Sequence, residues 1–513
     1  MRRKTAAWLA AAAAFIAFLP ALGNGFVDFD DLRYLLASRE HLGFSLSQLR
    51  WMFTTTLSGP YQPLSWASLA LDYQLFGAQA WAFHLTSALI HAANAALFFL
   101  VARELLNKAR PDDKDGALTP AALFAALVFA LHPLRVESVA WASERRDVLC
   151  GFFYLSSVLL YIRGRAKAAL FAFAAALLSK GMAVTLPLTL LALDYYPLKR
   201  KAWAEKAPFF ALSAVFGVVG ALAQRKSDQG RFPYPDLAGR LAQAAYGLVF
   251  YVEKTLVPWA LSPLYLRPKD LPLAGGPFAV CAVVVLLAAP ALLFVRKKRP
   301  ALATAAFCYA AALIPVLGLV PFGRQLAADR YSYLPCLPLA LLAGAALRAR
   351  WKNGTAPVLA AAACLVLIGL TWSQIPVWHD SASFWSRVAQ VEPDQAMPHN
   401  SLGYALARKD PARAESEYRR ALALDPSYEL PHNNLGLLLD SERKLPEAEA
   451  EYRAAIALKP DYWEAYSNLG LALARENKLK EAAASLEQAA RLNPDAAGVR
   501  KNLDLVYRAL GRK

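Results

Sequence analysis

The chain has 513 residues, of which 57% are hydrophobic, and it carries a formal net charge of +17. Its mean hydropathy of +0.29 argues against a soluble globular protein. The charge does not indicate nucleic-acid binding, because the basic residues cluster between long apolar runs, as Arg2-Arg3-Lys4, Lys199-Arg200-Lys201 and Arg296-Lys297-Lys298-Arg299. Such placement is typical of the cytoplasmic loops of a multi-pass membrane protein.

The N-terminal apolar run, residues 5–22, follows three basic residues and has two interpretations. A charged start before an apolar core is typical of a signal peptide. The run is also about long enough to cross the hydrocarbon core of a bilayer. We expect an uncleaved first span, because many apolar runs follow it.

Long apolar runs continue to about residue 373 and predict an all-α, polytopic bundle. The predicted spans are 5–22, 84–104, 120–133, 147–163, 168–179, 182–197, 205–223, 276–295, 301–320, 331–348 and 356–373. A further apolar segment, 241–261, is ambiguous. The basic loops all fall on the cytoplasmic side if this segment is re-entrant or interfacial. The sequence therefore predicts about eleven crossings, with the C-terminal tail on the extracytoplasmic side.

The tail repeats itself with the period of tetratricopeptide (TPR) repeats. Its leucines are spaced by 33, 34 and 34 residues, and its prolines by 34 and 34, at Leu402, Leu435, Leu469 and Leu503 and at Pro426, Pro460 and Pro494. This pattern predicts an α-solenoid with a concave surface for a peptide or protein. We place a membrane domain at residues 1–375 and a TPR domain at 376–513, with about three repeats, a leading half-repeat and a capping helix.

Acidic residues follow the first predicted span in the motif DFDD, with Asp28, Asp30 and Asp31 on the predicted outer side. They have two interpretations. One of them could cap a short helix, or a carboxylate could act as a general base at the membrane surface.

Two further polar clusters lie in predicted outer loops. With the DFDD motif counted as the first polar loop, the side chains singled out are His132, Glu137, Arg145, Arg146 and Asp147 in the second polar loop, and Arg324, Asp329 and Arg330 in the third. Lys180 lies at a tight turn on the same side. Guanidinium groups suit the bidentate binding of a phosphate. Interfacial ion pairs or simple snorkelling of Lys180 are the structural alternatives.

Several motifs together resemble one family. In chain order they are DFDD, YQPLSWASLALDYQLFG, FHLTSALIHAANA, LHPLRVESVAWASERRDVLCGFFYLSSVLLY, LLSKGMAVTLPLTLL, LSPLY and DRYSYLP, followed by terminal TPRs. This arrangement resembles the transmembrane and TPR-containing O-mannosyltransferases and their bacterial relatives in the GT-C superfamily. One departure is Gly181, which stands where the family has an acid.

The resemblance implies a glycosyltransferase that takes a sugar from a polyprenyl-phosphate carrier and passes it to an acceptor hydroxyl. It implies a base at Asp30 or Asp31, with Asp28 beside them, and phosphate contacts from Arg145, Arg146, Lys180 and Arg330. We expect no cofactor and no metal, because cations can hold the leaving phosphate. We expect TPR docking of an acceptor protein, and a bacterial inner membrane with the TPRs in the periplasm.

Two alternatives belong to other functional classes. A non-enzymatic TPR scaffold would organise an envelope complex, and its outer Asp and Arg clusters would tolerate substitution. A transporter or flippase of lipid-linked sugar would distribute polar residues through both halves of the bilayer. Here those residues gather on the predicted outer side, which favours the enzyme.

Overall fold

A computed structural model describes residues 2–57, 59–111, 116–228, 235–268, 276–319, 325–351 and 354–511. The chain forms two compact units, Met1–Asp380 and Ser381–Lys513. Both units are built from helices, as the apolar runs and the repeat period predict.

Fifteen α-helices are described in the first unit. They are α1 (Arg3–Phe18), α2 (Leu46–Thr54), α3 (Pro63–Phe76), α4 (Ala80–Ala109), α5 (Leu118–Ala130), α6 (Val136–Ala140), α7 (Arg145–Ile162), α8 (Ala166–Ser179), α9 (Leu186–Tyr195), α10 (Ala207–Asp228), α11 (Leu237–Leu256), α12 (Gly276–Val295), α13 (Pro300–Leu313), α14 (Leu337–Ala349) and α15 (Thr355–Gln374). A short π-helix spans Leu32–Ala37, and 3-10 turns include Ala142–Glu144, Gly181–Thr185 and Asp329–Ser332.

Five helical segments in the described residues are long and apolar enough to cross a membrane. They are Arg3–Gly23, Ala80–Ala109, Ala204–Arg225, Gly276–Val295 and Thr355–Trp378. The pair Leu118–Ala130 and Pro133–Ala140, bent by 57°, adds a sixth if it forms one broken span. The first unit is therefore membrane-embedded. The predicted count of about eleven includes shorter helices, such as α8 with 14 residues, which measures about 21 Å against a hydrocarbon core of about 30 Å.

Small residues allow the first helix to pack closely. Ala6, Ala10 and Ala14 are fully buried at four-residue spacing, on a helix that contacts α4. Close backbone approach through small side chains is the usual packing mode of helices in lipid, where the hydrophobic effect between helices is absent.

The ambiguous segment 241–261 forms most of α11, which begins where the Asp236 side chain accepts a hydrogen bond from Gly239 N at 2.8 Å. Near its start, Arg240 donates to Leu319 O, and near its end, Thr255 Oγ1 lies 3.1 Å from Cys336 Sγ. Both ends of α11 thus contact the connection between α13 and α14. That the segment is re-entrant or interfacial stays a prediction, which labelling of its two ends would test.

The connection between α13 and α14 also carries one strand of the single β-ladder of the described residues, and the other strand lies between α11 and α12. Strands β1 (Tyr265–Leu266) and β2 (Gln325–Ala327) pair antiparallel, with Tyr265 opposite Ala327. Strand β2 precedes the 3-10 turn Asp329–Ser332. Tyr251 Oη of α11 donates to Ala328 O at 3.1 Å, which holds that turn beside α11.

The second unit consists of eight α-helices in the described residues. They are α16 (Ser381–Val391), α17 (Ala396–Leu406), α18 (Pro411–Leu424), α19 (Glu429–Ser441), α20 (Leu445–Leu458), α21 (Trp463–Arg475), α22 (Leu479–Leu492) and α23 (Ala497–Ala509). Glycine is needed where paired helices meet, because a Cβ on Gly436 would lie 2.7 Å from the Tyr452 ring. Asn434 Nδ2 donates to Asn400 Oδ1 at 3.0 Å, which links successive repeats.

Candidate functional site

Asp31 joins two distant loops through its carboxylate. Oδ2 accepts from Val27 N at 3.0 Å, and Oδ1 accepts from Ser143 N at 2.9 Å. Asp31 precedes the π-helix Leu32–Ala37, but its side chain does not cap that helix. Burial raises the pKa of Asp31 to about 6, while the two backbone donors oppose that shift. Both carboxylate oxygens are already engaged in positioning backbone, so the geometry gives Asp31 a structural role.

Asp30 lies next to this clamp in a different environment. Its carboxylate is half-buried, and the described residues make no hydrogen bond to it. Burial raises the pKa of Asp30, the nearby guanidiniums of Arg146 and Arg330 lower it, and the Glu144 carboxylate raises it. Asp28 is also half-buried, and burial raises its pKa. Of the three acids, Asp30 faces the basic residues.

The second loop brings a compact ion cluster to the start of α7. Glu144, fully buried, accepts from Arg146 Nε at 2.8 Å through Oε2 and from Lys180 Nζ at 2.6 Å through Oε1. The Nε of Arg330 lies 3.9 Å from Glu144 Oε2. One carboxylate therefore organises three cations that come from three separate segments of the chain.

Lys180 occupies the extended residue between α8 and the turn Gly181–Thr185. Its Nζ also donates to Asp147 Oδ1 at 2.6 Å, and Asp147 Oδ2 accepts from Ser138 at 3.0 Å. The Lys180 side chain is 13% exposed. Two carboxylates thus hold this cation inside the unit, so it does not snorkel to the surface.

Arg330 connects the cluster to the third polar loop. Its guanidinium pairs with Glu137, whose other oxygen accepts from Arg330 N at 2.7 Å. Asp329 is buried and accepts from Tyr265 Oη at 2.9 Å. Arg324, the remaining predicted residue of this loop, lies outside the described residues.

Two of the residues predicted to bind the phosphate or sugar, Arg145 and His132, make their contacts outside the ion cluster. Arg145 is fully buried and pairs with Asp72 at 2.6 Å, and it also donates to Phe83 O at 2.6 Å. His132 accepts from Leu134 N through Nδ1 and lies 3.0 Å from Thr255 O through Nε2. Arg145 and Arg146 are adjacent on the first turn of α7, yet their side chains point to different environments. The contacts of Arg145 and His132 support the fold, and neither residue joins the cluster.

Apart from Asp30 beside it, the cluster is electrically balanced. Its three cations, Arg146, Lys180 and Arg330, face the three carboxylates of Glu137, Glu144 and Asp147. A buried charge without a partner is costly, so an entering anion has to replace one of these carboxylates at a cation.

Glu144 was not among the predicted site residues, although it lies within the second polar cluster. Its sequence neighbours Arg145 and Arg146 are predicted from their residue type, because guanidinium groups bind phosphate. The signal that identifies Glu144 is three-dimensional, because Lys180 and Arg330 reach it from 36 and 186 residues away along the chain.

Comparisons with known proteins agree with the motifs and the repeats. Residues 443–476 match the family described as TPR repeat, and residues 463–496 match the family described as Tetratricopeptide repeat. The C-terminal unit carries TPR repeats. This confirms the solenoid that the 34-residue period predicted.

The chain is also similar to curated enzymes. It is 36% identical over 159 residues to the protein O-mannosyl-transferase Tmtc2 of Drosophila melanogaster, which covers 29% of this chain and 16% of that protein. It is 36% identical over 116 residues to human TMTC2, which covers 22% of this chain and 13% of that protein. The resemblance inferred from the motifs is thereby confirmed, although the match spans less than a fifth of either relative.

One of the solved structures that resemble this chain aligns with most of its length. Cupriavidus metallidurans ArnT, bound to undecaprenyl phosphate, aligns over 89% of this chain and 80% of its own with 19% identity and a TM-score of 0.37. A TM-score of that size does not establish a common fold.

Proposed function

We propose that the chain is a membrane glycosyltransferase that transfers a sugar from a polyprenyl-phosphate carrier to a hydroxyl of an acceptor protein. The observation that carries this proposal is the position of Asp30, a half-buried carboxylate near a buried ion cluster whose Arg146 and Arg330 lower its pKa. A base and an anion site next to each other are what a displacement with a phosphate leaving group requires.

The proposed base is Asp30, because Asp31 already binds two backbone amides. The acceptor hydroxyl gives its proton to the Asp30 carboxylate while the hydroxyl oxygen forms a bond to the anomeric carbon of the sugar. The raised pKa of Asp30 suits this role, since a base with a pKa nearer the working pH accepts a proton more effectively.

The leaving group departs as the bond between the anomeric carbon and the phosphate oxygen breaks, and the bonding electrons stay on that oxygen. Attack from the face opposite the phosphate inverts the anomeric centre. The developing charge is stabilised by Arg146, Lys180 and Arg330, which Glu144 holds together in the resting protein. We propose that the phosphate replaces Glu144 at Arg146, whose side chain is 12% exposed.

The sugar and the acceptor follow from the relatives. The matched curated proteins are named protein O-mannosyl-transferases, so we propose mannose as the sugar and a protein hydroxyl as the acceptor. The TPR unit supplies a repeat surface of the kind that binds peptides, and we propose that it recruits the acceptor protein on the extracytoplasmic side.

The test uses the full-length protein in membrane vesicles with polyprenyl phosphate that carries labelled mannose. Asp30→Asn should lower transfer by about 10²- to 10⁴-fold while the protein still folds, and Asp31→Asn should lower both folding yield and transfer. Asp28→Asn, which removes a neighbouring acid of the same loop, is the matched control. Full transfer by Asp30→Asn would overturn the assignment of the base. Full transfer by the double variant Asp30→Asn, Asp31→Asn would remove both of these acids from the mechanism.

A further inference from the structure

An apolar cavity lies inside the first unit, away from the ion cluster. It has a volume of about 210 Å³, is lined by residues of α4, α7, α9, α13 and α14, and is partly open to the surface. A water-sized sphere needs roughly 10–15 Å³ by the same measure, so the space is large enough for more than ten of them. Most of its wall is hydrocarbon, which gives water few polar partners there.

The cavity and the ion cluster occupy opposite ends of the same helices. On α7, Asp147 of the cluster lies in the first turn, while Tyr154 and Val158 line the cavity. Their separation along the helix is about 10 to 16 Å. On α14 the order is the same, because Arg330 precedes the helix and Arg348 lines the far end of the cavity. The cavity therefore belongs to a different depth of the membrane unit.

The far end of the cavity is positively charged. Arg110, which is exposed, lies on its rim just after the last residue of α4. Arg348 Nη2 donates to Arg110 O at 3.1 Å and thereby fixes the position of this residue. The end of the cavity that carries Arg110 suits a negatively charged lipid headgroup. The apolar remainder of the cavity suits a hydrocarbon chain.

One polar group in the wall is unsatisfied. Thr304, in the second turn of α13, is 8% exposed, and its Oγ1 has no hydrogen-bond partner among the described residues. By contrast, Tyr154 Oη donates to Thr189 Oγ1 at 2.9 Å, so those two lining groups satisfy each other. A buried hydroxyl without a partner is costly, and Thr304 lies at the same end of the bundle as Arg110.

We propose that this cavity binds one acyl chain of an anionic glycerophospholipid from the leaflet at the end opposite the ion cluster. Arg110 binds the headgroup phosphate, Thr304 donates to an ester carbonyl, and the acyl chain fills the apolar body. A polyprenyl chain offers neither an ester carbonyl to Thr304 nor a charge at its hydrocarbon end to Arg110. The site is thus separate from the donor site, and the proposal does not depend on the enzymatic function.

The test is native mass spectrometry of the purified full-length protein, titrated separately with phosphatidylglycerol, phosphatidylcholine and undecaprenyl phosphate. The wild type should bind phosphatidylglycerol at least five-fold more tightly than phosphatidylcholine. Ala345→Phe, which fills the cavity, should weaken binding of phosphatidylglycerol at least five-fold, whereas Ala346→Phe, on the exposed side of α14, should leave it unchanged.

Two milder variants keep the test informative if Ala345→Phe does not fold. Arg110→Gln should remove the preference for phosphatidylglycerol, with Lys108→Gln of the same helix end as its control. Thr304→Val, which is nearly isosteric, should weaken both phospholipids about two- to three-fold and leave undecaprenyl phosphate unaffected. Equal binding of the two phospholipids by the wild type, or loss of undecaprenyl phosphate binding in the cavity variants, would overturn the proposal. The second result would make the cavity a groove for the donor chain.

Discussion

The Asp31 carboxylate accepts a hydrogen bond from the backbone N–H of Ser143, 2.9 Å away and 112 residues further along the chain. This bond ties the acidic loop after α1 to the turn that carries Glu144. It places the half-buried Asp30 beside the cations, because Asp30 directly precedes the residue that is clamped.

Asp30→Asn and Asp31→Asn should therefore fail in different ways. In Asp31→Asn, one backbone N–H of Val27 or Ser143 faces an amide NH₂ and stays unsatisfied, at a cost of about 1–3 kcal/mol. Asp30→Asn should keep the stability of the wild type, since burial already disfavours its charge, but should lose transfer by about 10²- to 10⁴-fold. Thermal unfolding and initial rates on the same preparations separate the two effects. Equal loss of stability in both variants would contradict the division of roles.

The pH dependence of transfer should report the charges around Asp30. As a base, Asp30 is active when ionised, so kcat/KM should fall as the pH drops through its raised pKa. Arg146 lowers this pKa and Glu144 raises it. The acidic limb should therefore move to higher pH in Arg146→Gln and to lower pH in Glu144→Gln. Residual activity is measured for each variant from pH 4 to 9, and shifts in the reverse directions would exclude Asp30 as the titrating base.

Lys180 should be coupled energetically to its buried partners. Lys180→Met leaves Glu144 and Asp147 with one cation fewer, and removal of one partner from a buried pair costs about 3–5 kcal/mol. Asp147→Asn in the same chain should recover part of that loss, because the second carboxylate is then uncharged. A double-mutant cycle of unfolding free energies in micelles measures the coupling. Strict additivity of the two substitutions would show that the 2.6 Å contact contributes nothing.

Gly436 should be intolerant of a side chain, in contrast to Gly498. Gly436→Ala places Cβ 2.7 Å from the Tyr452 ring, and overpacking of this kind costs about 1–3 kcal/mol. Gly498, in the first turn of α23, has open space around its Cβ position, so Gly498→Ala should be neutral or stabilise by up to about 1 kcal/mol. Hydrogen exchange of α19 and α20 in the full chain is the measurement. Faster exchange in both variants alike would contradict the contact.

The two ends of α11 should be accessible from the same side of the membrane. Leu237 is 63% exposed and Trp259 is 77% exposed, so Leu237→Cys and Trp259→Cys are suitable labelling positions. A membrane-impermeant thiol reagent should label both from the extracytoplasmic face of sealed vesicles. The wild-type protein, with its own five cysteines, gives the background. Labelling from opposite faces would mean that α11 crosses, and it would move the predicted side of the TPR unit.

The sequence by itself determined which kinds of structural element the chain forms, namely membrane helices and TPR repeats. Apolar runs longer than a bilayer requires indicate membrane helices, and a 34-residue period indicates TPRs, because both signals are local and repeat along the chain. The sequence also identified Asp30, Arg146, Lys180 and Arg330 as the polar residues of interest, since charges near apolar helices are costly and rarely incidental.

The tertiary structure alone decided which of these charges face each other. Arg145 and Arg146 are neighbours in sequence, yet one pairs with Asp72 in the core and the other with Glu144 in the cluster. Asp30 and Asp31 are also neighbours in sequence, yet Asp31 accepts hydrogen bonds from two backbone amides and Asp30 lies near the cations of the cluster. Adjacent residues diverge because successive side chains on a helix or turn point in different directions. Their partners lie tens to hundreds of residues away, and sequence spacing carries no information about such contacts.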